Sequence, residues 1–216
     1  MENFPILYSF RRCPYAMRAR MAVSISGQTC RLREVVFRNK PPEMIAASPK
    51  ATVPILVLPD GRILEESLEI MDWALGLHDP ETWRPADHAV LNEMEQLIAR
   101  FDDRFKFHLD RYKYATRYDG ADPHEHRAAA IEILQELEER LQDQSYLFGE
   151  TRCYADIALA PFIRQFANTD IKWFEAQPLP ALQDWLNKFL TSDLFTGVMA
   201  KYPAWQSGAE EPLFPS

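Results

Sequence analysis

Residues 8–16 of the chain read Tyr8-Ser9-Phe10-Arg11-Arg12-Cys13-Pro14-Tyr15-Ala16, between an apolar run and a helical pattern. Proline suits the first position of a helix, so Pro14 predicts a helix start with Cys13 near its N-cap. Unpaired backbone N–H groups and the positive end of the helix dipole favour a thiolate at that position. Ala16 stands where a second cysteine would complete a C-x-x-C pair, so a redox cycle at Cys13 needs a resolving thiol from another molecule. From this stretch alone, a small packing residue remains an equally open interpretation of Cys13.

Around this stretch, the first third of the chain alternates short apolar runs with helical patterns. The turn Pro59-Asp60-Gly61-Arg62 between two apolar runs is typical of a β-hairpin. The order is βαβαββα, in which the first two strands favour a parallel pair and the hairpin adds an antiparallel edge. We therefore predict a thioredoxin-like α/β N-terminal domain, whose last helix is capped by Ser67. Its predicted strands are 6–10, 32–37, 55–58 and 63–64, and its predicted helices are 14–26, 42–47 and 67–75.

The rest of the chain carries helical patterns. An apolar stripe from Val90 to Tyr112, a helix-start signature at Asp122-Pro123 and an almost wholly apolar stretch at 154–166 predict an all-α C-terminal domain. Residues 77–87 contain two prolines and several charges, which is typical of a linker. The predicted organisation is a domain at 1–76, a linker at 77–87 and a helical domain at 88–216. The last predicted helices of the helical domain are 180–190 and 192–200. A loose tail follows from residue 202, with the aromatic anchors Tyr202, Trp205 and Phe214.

The composition argues against several classes of function. The chain has 216 residues and a formal net charge of -8, which argues against a general nucleic-acid binder. Its 3 cysteines fit neither a disulfide framework nor a zinc site, and its 5 histidines have no metal-ligand spacing and are predicted to be solvated. No apolar run approaches the ~20 residues of a membrane span, and the first residues lack a signal-peptide pattern. We therefore expect a cytoplasmic protein with no metal, no membrane association and no nucleic-acid partner.

Four features of the first domain would together bind a small acidic thiol peptide, and the first of them is Cys13 itself. A cis proline at Val53-Pro54 would turn the preceding backbone toward an extended peptide. The helix start at Glu66-Ser67 would bind a carboxylate and an ammonium group, and Lys40 would pair with a second carboxylate. Each feature alone also fits a role without a ligand, as a trans proline, a plain helix cap or a solvated lysine. Their order and spacing are what point to one site.

With these features in this order, the chain resembles the cytosolic glutathione transferases, and most closely their cysteine-type, omega-like group. The similar segments are residues 8–16, Asn39-Lys40-Pro41-Pro42-Glu43, Thr52-Val53-Pro54-Ile55-Leu56 and Glu65-Glu66-Ser67. The resemblance extends through the helical second domain and so covers nearly the whole chain. It implies glutathione as the co-substrate, a small electrophilic or disulfide second substrate, and a homodimer.

The resemblance also implies roles for single residues. Cys13 would form a mixed disulfide with glutathione, and the bond before Pro54 would be cis. The backbone of Val53 would pair with the cysteinyl unit, Glu66 and Ser67 would hold the γ-glutamyl end, and Lys40 would hold the glycine carboxylate. Tyr15 would line the boundary with the acceptor site, and we expect Phe105 and Tyr112 to line the acceptor-substrate pocket.

Three features of the chain depart from the sequence pattern of the omega-like group. The chain has too few residues before Cys13 for the N-terminal extension usual in omega enzymes, which favours a bacterial-type relative. The predicted central helix starts at Cys153, where the superfamily commonly has Ser or Thr, but keeps Asp156; sulfur is a weaker acceptor, so this helix start is less secure by ~1 kcal/mol. Tyr8 and Ser9 lie near the position where other classes place a catalytic hydroxyl, and we interpret both as structural.

The main functional hypothesis is a glutathione-dependent thiol transferase or reductase. Its reaction would be deglutathionylation, dehydroascorbate-type reduction or reduction of a glutathionyl conjugate, each by thiol–disulfide exchange. A second hypothesis is conjugation of glutathione to electrophiles, in which bound glutathione is the nucleophile. A third is a non-catalytic interaction protein on the same fold.

Overall fold

The structure, a computed structural model, describes residues 3–215. The chain divides into two compact units: unit 1 comprises the residues up to Glu81 together with those from Thr191 onward, and unit 2 comprises Thr82–Leu190. The residues from Thr191 onward were predicted to belong to the helical domain, and their place in unit 1 corrects that boundary. The physical reason is that this segment pairs with the sheet and packs on α1 (Pro14–Ile25).

Unit 1 is built on a mixed sheet of five strands in the order β4-β3-β1-β2-β5. Strands β1 and β2 are parallel, with Tyr8 opposite Arg33, and β3 is antiparallel to β1, with Tyr8 opposite Ile55. These pairings confirm the predicted thioredoxin-like α/β arrangement. The strands are β1 Ile6–Ser9, β2 Cys30–Glu34, β3 Ile55–Val57, β4 Ile63–Leu64 and β5 Leu213–Phe214.

Strand β5 comes from the segment that was predicted to be a loose tail. It pairs antiparallel with β2, with Phe214 opposite Cys30. Phe214 is 1% exposed and Trp205 is 8% exposed, so two of the three predicted aromatic anchors are buried, and Tyr202 is partly exposed. The tail is therefore part of the sheet and covers the edge of β2 that would otherwise be open.

The α-helices pack by the apolar faces that the sequence predicts. In unit 1, α1 buries Met17 and Met21 and ends before Gly27, whose φ of 69° suits glycine. Within residues 3–215 the α-helices are α1 Pro14–Ile25, α2 Pro42–Ala47, α3 Ser67–Leu77, α4 His88–Arg100, α5 Lys106–Lys113, α6 Pro123–Gln142, α7 Tyr154–Ala167, α8 Ile171–Glu175, α9 Pro180–Thr191 and α10 Asp193–Val198.

Unit 2 contains α4 to α9. A π-helical turn at Phe101–Phe105 joins α4 to α5, so the predicted long apolar stripe is one nearly continuous helical segment. Asp122 accepts a hydrogen bond from the His124 N–H at 2.7 Å and caps α6 as predicted. Helix α7 is buried along most of its length and contains Pro161. In the part of the chain that the structure describes, no helix has the length and apolar character needed to cross a membrane.

Candidate active site around Cys13

Cys13 occupies the N-cap position of α1, and Pro14 is the first residue of the helix, as predicted. The Cys13 N–H donates to the Phe10 carbonyl at 2.9 Å, which closes a tight turn between β1 and α1. Cys13 is partly exposed, whereas Cys30 and Cys153 are buried. The turn therefore presents one of the three thiols to solvent at the positive end of a helix.

The sulfur of Cys13 lies beside the segment that precedes β3. Its S–H donates to the carbonyl oxygen of Val53 at 3.6 Å. The Val53–Pro54 peptide bond is cis, as the resemblance implied. The predicted nucleophile and the predicted peptide-binding backbone are therefore in direct contact.

A cleft of about 320 Å³ opens in front of this contact. Its lining consists of Cys13, Tyr15, Phe37 and the two segments 52–54 and 65–67. The structure thus brings Cys13, Val53-Pro54 and Glu66-Ser67 together at one cleft, as predicted. Sequence reasoning missed Phe37, which was assigned to a strand; β2 ends at Glu34, and Phe37 lies in the following turn against Phe10, with 4.8 Å between the ring centroids.

The start of α3 supplies the polar wall of the cleft. Glu66 is the N-cap residue and Ser67 is the first residue of the helix, which corrects the prediction that Ser67 is the cap. The Glu66 N–H donates to Glu69 Oε2 at 3.3 Å, so the Glu69 side chain provides an acceptor for the backbone N–H of the N-cap residue. Ser67 is 4% exposed and lines the cleft at the end where backbone N–H groups point out of the helix. This arrangement suits a carboxylate.

Lys50, which sequence reasoning did not single out, reaches Glu66. Its ammonium lies 2.8 Å from Glu66 Oε1, and this hydrogen bond raises the pKa of Lys50. The two side chains are 55% and 63% exposed, so the ion pair is weak and an incoming ammonium group can replace Lys50 at the carboxylate. The two residues are 16 positions apart in the chain, so no local sequence pattern indicates that they pair.

Lys40 does not line the cleft of Cys13. It lies in a separate depression of about 280 Å³ together with Trp205, Gln206 and Ser207. Lys40 therefore does not lie with the other predicted site residues in the structure. The C-terminal segment, whose position was not predicted, forms the opposite wall of the depression that holds Lys40.

The two residues predicted to line an acceptor pocket both lie in unit 2. Phe105 is 0% exposed and packs between Phe101 and Phe166, with ring centroids 5.3 Å and 5.7 Å away. It is therefore a core residue, and the prediction that it lines a pocket is wrong. Tyr112 is partly exposed and packs on Phe166 at 5.3 Å, and its role in substrate binding stays a prediction.

Tyr8 and Ser9 are placed as structural residues. Tyr8 is 2% exposed, its hydroxyl accepts a hydrogen bond from Arg33, and its ring contacts Trp205 with 6.4 Å between centroids. Burial raises the pKa of Tyr8, so its hydroxyl stays protonated. Ser9 is 0% exposed. These surroundings agree with the interpretation that neither hydroxyl activates a thiol.

Burial makes Cys30 and Cys153 less able than Cys13 to form a thiolate. Burial raises the pKa of Cys30 to about 12. The pKa of Cys153 is also raised, first by burial and then by the negative charge of Asp156. Both thiols therefore stay protonated at neutral pH, and a thiolate there is disfavoured.

Across residues 3–215, no cluster of three His, Cys, Asp or Glu side chains is arranged to hold a metal ion. Two of the histidines that were predicted to be solvated, His108 and His126, are partly exposed and contact each other. His108 Nδ1 and His126 Nδ1 lie 2.9 Å apart and join α5 to α6.

Comparisons with known proteins agree with this geometry. Residues 7–82 match the family model described as glutathione S-transferase, N-terminal domain, and residues 88–188 match glutathione S-transferase, C-terminal domain. Glutathione S-transferase U19 of Arabidopsis thaliana is 29% identical over 203 residues, which cover 88% of this chain and 87% of that protein. Glutathione S-transferase U25 of the same plant is 30% identical over 184 residues, or 82% and 75% of the two chains. A glutathione transferase family member from Pseudomonas fluorescens, solved with two glutathione bound, superposes with a TM-score of 0.76 at 21% identity over 91% of this chain and 92% of that one.

Proposed function

Because the chain belongs to the glutathione S-transferase family, we propose that it is a glutathione-dependent thiol transferase in which Cys13 forms a mixed disulfide with glutathione. The observation that carries this proposal is the position of Cys13. It is a partly exposed thiol at the N-cap of α1, in the same cleft as Val53 and the start of α3. A thiol in that position is available as a nucleophile.

The charged groups of glutathione match the polar and charged groups that line the cleft. The start of α3 with Ser67 receives the α-carboxylate of the γ-glutamyl unit. The Glu66 carboxylate receives the ammonium group in place of Lys50. The backbone of Val53, next to the Cys13 sulfur, pairs with the cysteinyl unit. Lys40, which lies in a neighbouring depression, is the proposed partner of the glycine carboxylate.

The reaction is a thiol–disulfide exchange in two steps. The Cys13 thiolate attacks the glutathionyl sulfur of a glutathionylated substrate; a Cys13–glutathione disulfide forms and the substrate leaves as a thiolate. A glutathione thiolate then attacks the same glutathionyl sulfur, which gives glutathione disulfide and restores the Cys13 thiolate. Ala16 is buried and has no thiol, and Cys30 and Cys153 are buried, so glutathione must supply the resolving sulfur.

The direct test is intact-mass analysis after incubation with glutathione disulfide. We expect one glutathione adduct on the wild-type protein and on the matched controls Cys30→Ser and Cys153→Ser. The Cys13→Ser variant should carry none. An adduct that persists in Cys13→Ser, or that maps to either buried cysteine, overturns the mechanism.

Conjugation of glutathione to electrophiles is the second candidate, favoured by the 29% and 30% identical relatives that are named glutathione S-transferases. In that reaction bound glutathione is the nucleophile, so Cys13→Ala should keep or increase activity toward an aryl halide. Under the proposed mechanism the same variant loses reduction of glutathionylated peptides.

Three finer assignments belong to the same proposal. Cys13 with Pro14 supports the omega-like subgroup. The resemblance supports a homodimer, which sedimentation equilibrium tests, and a cytoplasmic location.

A non-catalytic role on this fold predicts that glutathione does not raise the melting temperature of the protein, whereas a glutathione-binding enzyme is stabilised by mass action.

A further inference from the structure

A buried ion pair lies behind the turn that carries Cys13. The Arg20 side chain is fully buried, and its Nη1 atom lies 3.4 Å from Oε2 of Glu34, whose side chain is 10% exposed. Charged groups are costly to bury unless they are paired and hydrogen-bonded. Arg20 lies in the middle of α1 and Glu34 is the last residue of β2. The pair therefore holds a helix to the end of a strand at a considerable desolvation cost.

The other oxygen of Glu34 contacts the turn itself. Oε1 accepts a hydrogen bond from the backbone N–H of Arg11 at 2.6 Å. Arg11 lies inside the turn that the bond from the Cys13 N–H to the Phe10 carbonyl closes. A hydrogen bond to a carboxylate is shorter and stronger than one between neutral groups. One buried carboxylate thus fixes both the turn and the helix that follows it.

The C-terminal segment contacts both residues of this ion pair. The Trp205 N–H donates to the Glu34 carbonyl at 2.8 Å. The Arg20 guanidinium lies 5.6 Å from the ring centroid of Tyr202 and 5.0 Å from that of Phe214. Within the described residues, Arg20 Nε and Nη2 have no hydrogen-bond partner, so Glu34 is the anion that neutralises this cation.

We propose that Glu34 is a positioning residue for Cys13: it accepts from the Arg11 N–H and so fixes the turn that presents the sulfur at the start of α1. Arg20 and the C-terminal segment hold the carboxylate in place. The inference rests on the proposed function only in taking Cys13 as the reacting group. If the bond to Arg11 is lost, the turn relaxes and the sulfur moves relative to the α1 N-terminus and Val53. A displacement of about 1 Å at a reacting group costs up to about a hundredfold in rate.

Two conservative variants separate position from charge. Glu34→Asp keeps the negative charge beside Arg20 but is one methylene shorter, so it withdraws the carboxylate from the Arg11 N–H. Glu34→Gln loses the charge but keeps an oxygen that can accept from Arg11. Glu211→Gln is the matched control, because Glu211 pairs with Arg31 and Arg33 of the same strand.

The measurement is the rate at which iodoacetamide alkylates Cys13 in the full-length folded protein, followed by peptide mass analysis as a function of pH. We expect Glu34→Asp to react at least about tenfold more slowly than wild type, and Glu34→Gln and Glu211→Gln to stay within about threefold. The reverse order of the two Glu34 variants, or equal rates for all four proteins, overturns the proposal.

A second measurement needs no variant. The Arg11 amide of the wild-type protein should exchange with deuterium more slowly than in an unstructured peptide, although it lies in a surface turn. Unprotected exchange contradicts the bond to Glu34, even where Glu34→Asp does not fold.

The outcomes also distinguish the two proposals. If the alkylation rates follow the expected order but Cys13 forms no glutathione adduct, the proposed function is contradicted and the positioning role of Glu34 is supported. A normal adduct with equal alkylation rates contradicts the positioning role alone. In the glutathione-dependent assay, Glu34→Asp should lower kcat and leave KM for glutathione unchanged, because the substitution does not alter segments 52–54 and 65–67.

Discussion

The Cys13 sulfur and the Val53 carbonyl oxygen are 3.6 Å apart, although the two residues are separated by 40 positions in the chain. This contact joins the first turn of α1 to the segment before β3. It places the thiol against backbone that can pair with an extended peptide. The contact is made to a main-chain atom, so a side-chain substitution at Val53 does not remove its acceptor.

Alkylation of the folded protein should be confined to Cys13. The thiol of Cys30 has its pKa raised to about 12 by burial, and that of Cys153 is raised as well, while Cys13 is partly exposed. We expect peptide mass analysis to find one labelled cysteine under native conditions and all 3 after denaturation. Native labelling of Cys30 or Cys153 contradicts their burial.

Tyr8→Phe should leave glutathione-dependent activity within about twofold of wild type. The Tyr8 hydroxyl is bonded to Arg33 and is buried with Trp205, so it is not directed at a thiol. The variant leaves a hydrogen-bond donor of Arg33 without that partner, and the free energy of unfolding should fall by about 1 kcal/mol. A large loss of kcat with unchanged stability would mean that the hydroxyl is catalytic.

Asp156→Ala should destabilise the protein strongly. The Asp156 carboxylate accepts from the Leu147 N–H at 3.0 Å, the Cys153 N–H at 2.8 Å and Trp185 Nε1 at 2.7 Å. Each buried donor left without an acceptor costs about 1–3 kcal/mol, so the loss should be about 3 kcal/mol or more. Urea unfolding measures it, with Asp184→Ala, an exposed aspartate of α9, as a control expected to lie within about 0.5 kcal/mol of wild type.

Cys153→Ser should stabilise α7. Cys153 is the N-cap of this helix, where a hydroxyl is a better acceptor than sulfur, so the gain should be about 1 kcal/mol. Cys30→Ser is the matched comparison, because it places a hydroxyl in the apolar interior of β2 and should cost about 1–3 kcal/mol. Equal effects of the two substitutions on the melting temperature would contradict the capping role.

The stability difference between wild type and Glu34→Gln should depend on pH. Burial raises the pKa of Glu34 above its ordinary value of 4.5, so the folded state holds this proton more tightly than the unfolded state. The unfolded state then binds fewer protons between the two values, and the free energy of unfolding falls as pH rises through that window. Glutamine does not titrate, so wild type should lose stability relative to Glu34→Gln as pH rises above 4.5. A difference that grows with pH contradicts this sign.

Local signals predicted the elements that carry the site. Pro14 fixed the start of α1 next to Cys13, and Asp60-Gly61 fixed the hairpin between β3 and β4, because both rely on backbone preferences of single residues. The resemblance supplied the cis bond at Pro54, which no local preference gives. The helix start and the hairpin agree with the structure because each is decided within a few residues.

Features that depend on distant pairing escaped the sequence reasoning. Strand β5 has two residues between prolines and carries no strand pattern, so only its pairing with β2 defines it. The predicted strand at 32–37 gave no sign that Glu34 is buried, because its partner Arg20 lies on a different element. Phe105 shares its apolar stripe with core residues, and periodicity does not separate a pocket wall from a core position.

The sheet of unit 1 has a consequence for how the chain is made. Strand β5 is translated after the whole of residues 82–190, which form unit 2 by themselves. During synthesis, domains fold as units in the order in which they leave the ribosome. Unit 2 can therefore complete its core while β2 of unit 1 still has an open edge, and a nascent chain arrested before residue 213 exposes that edge to strands of its neighbours.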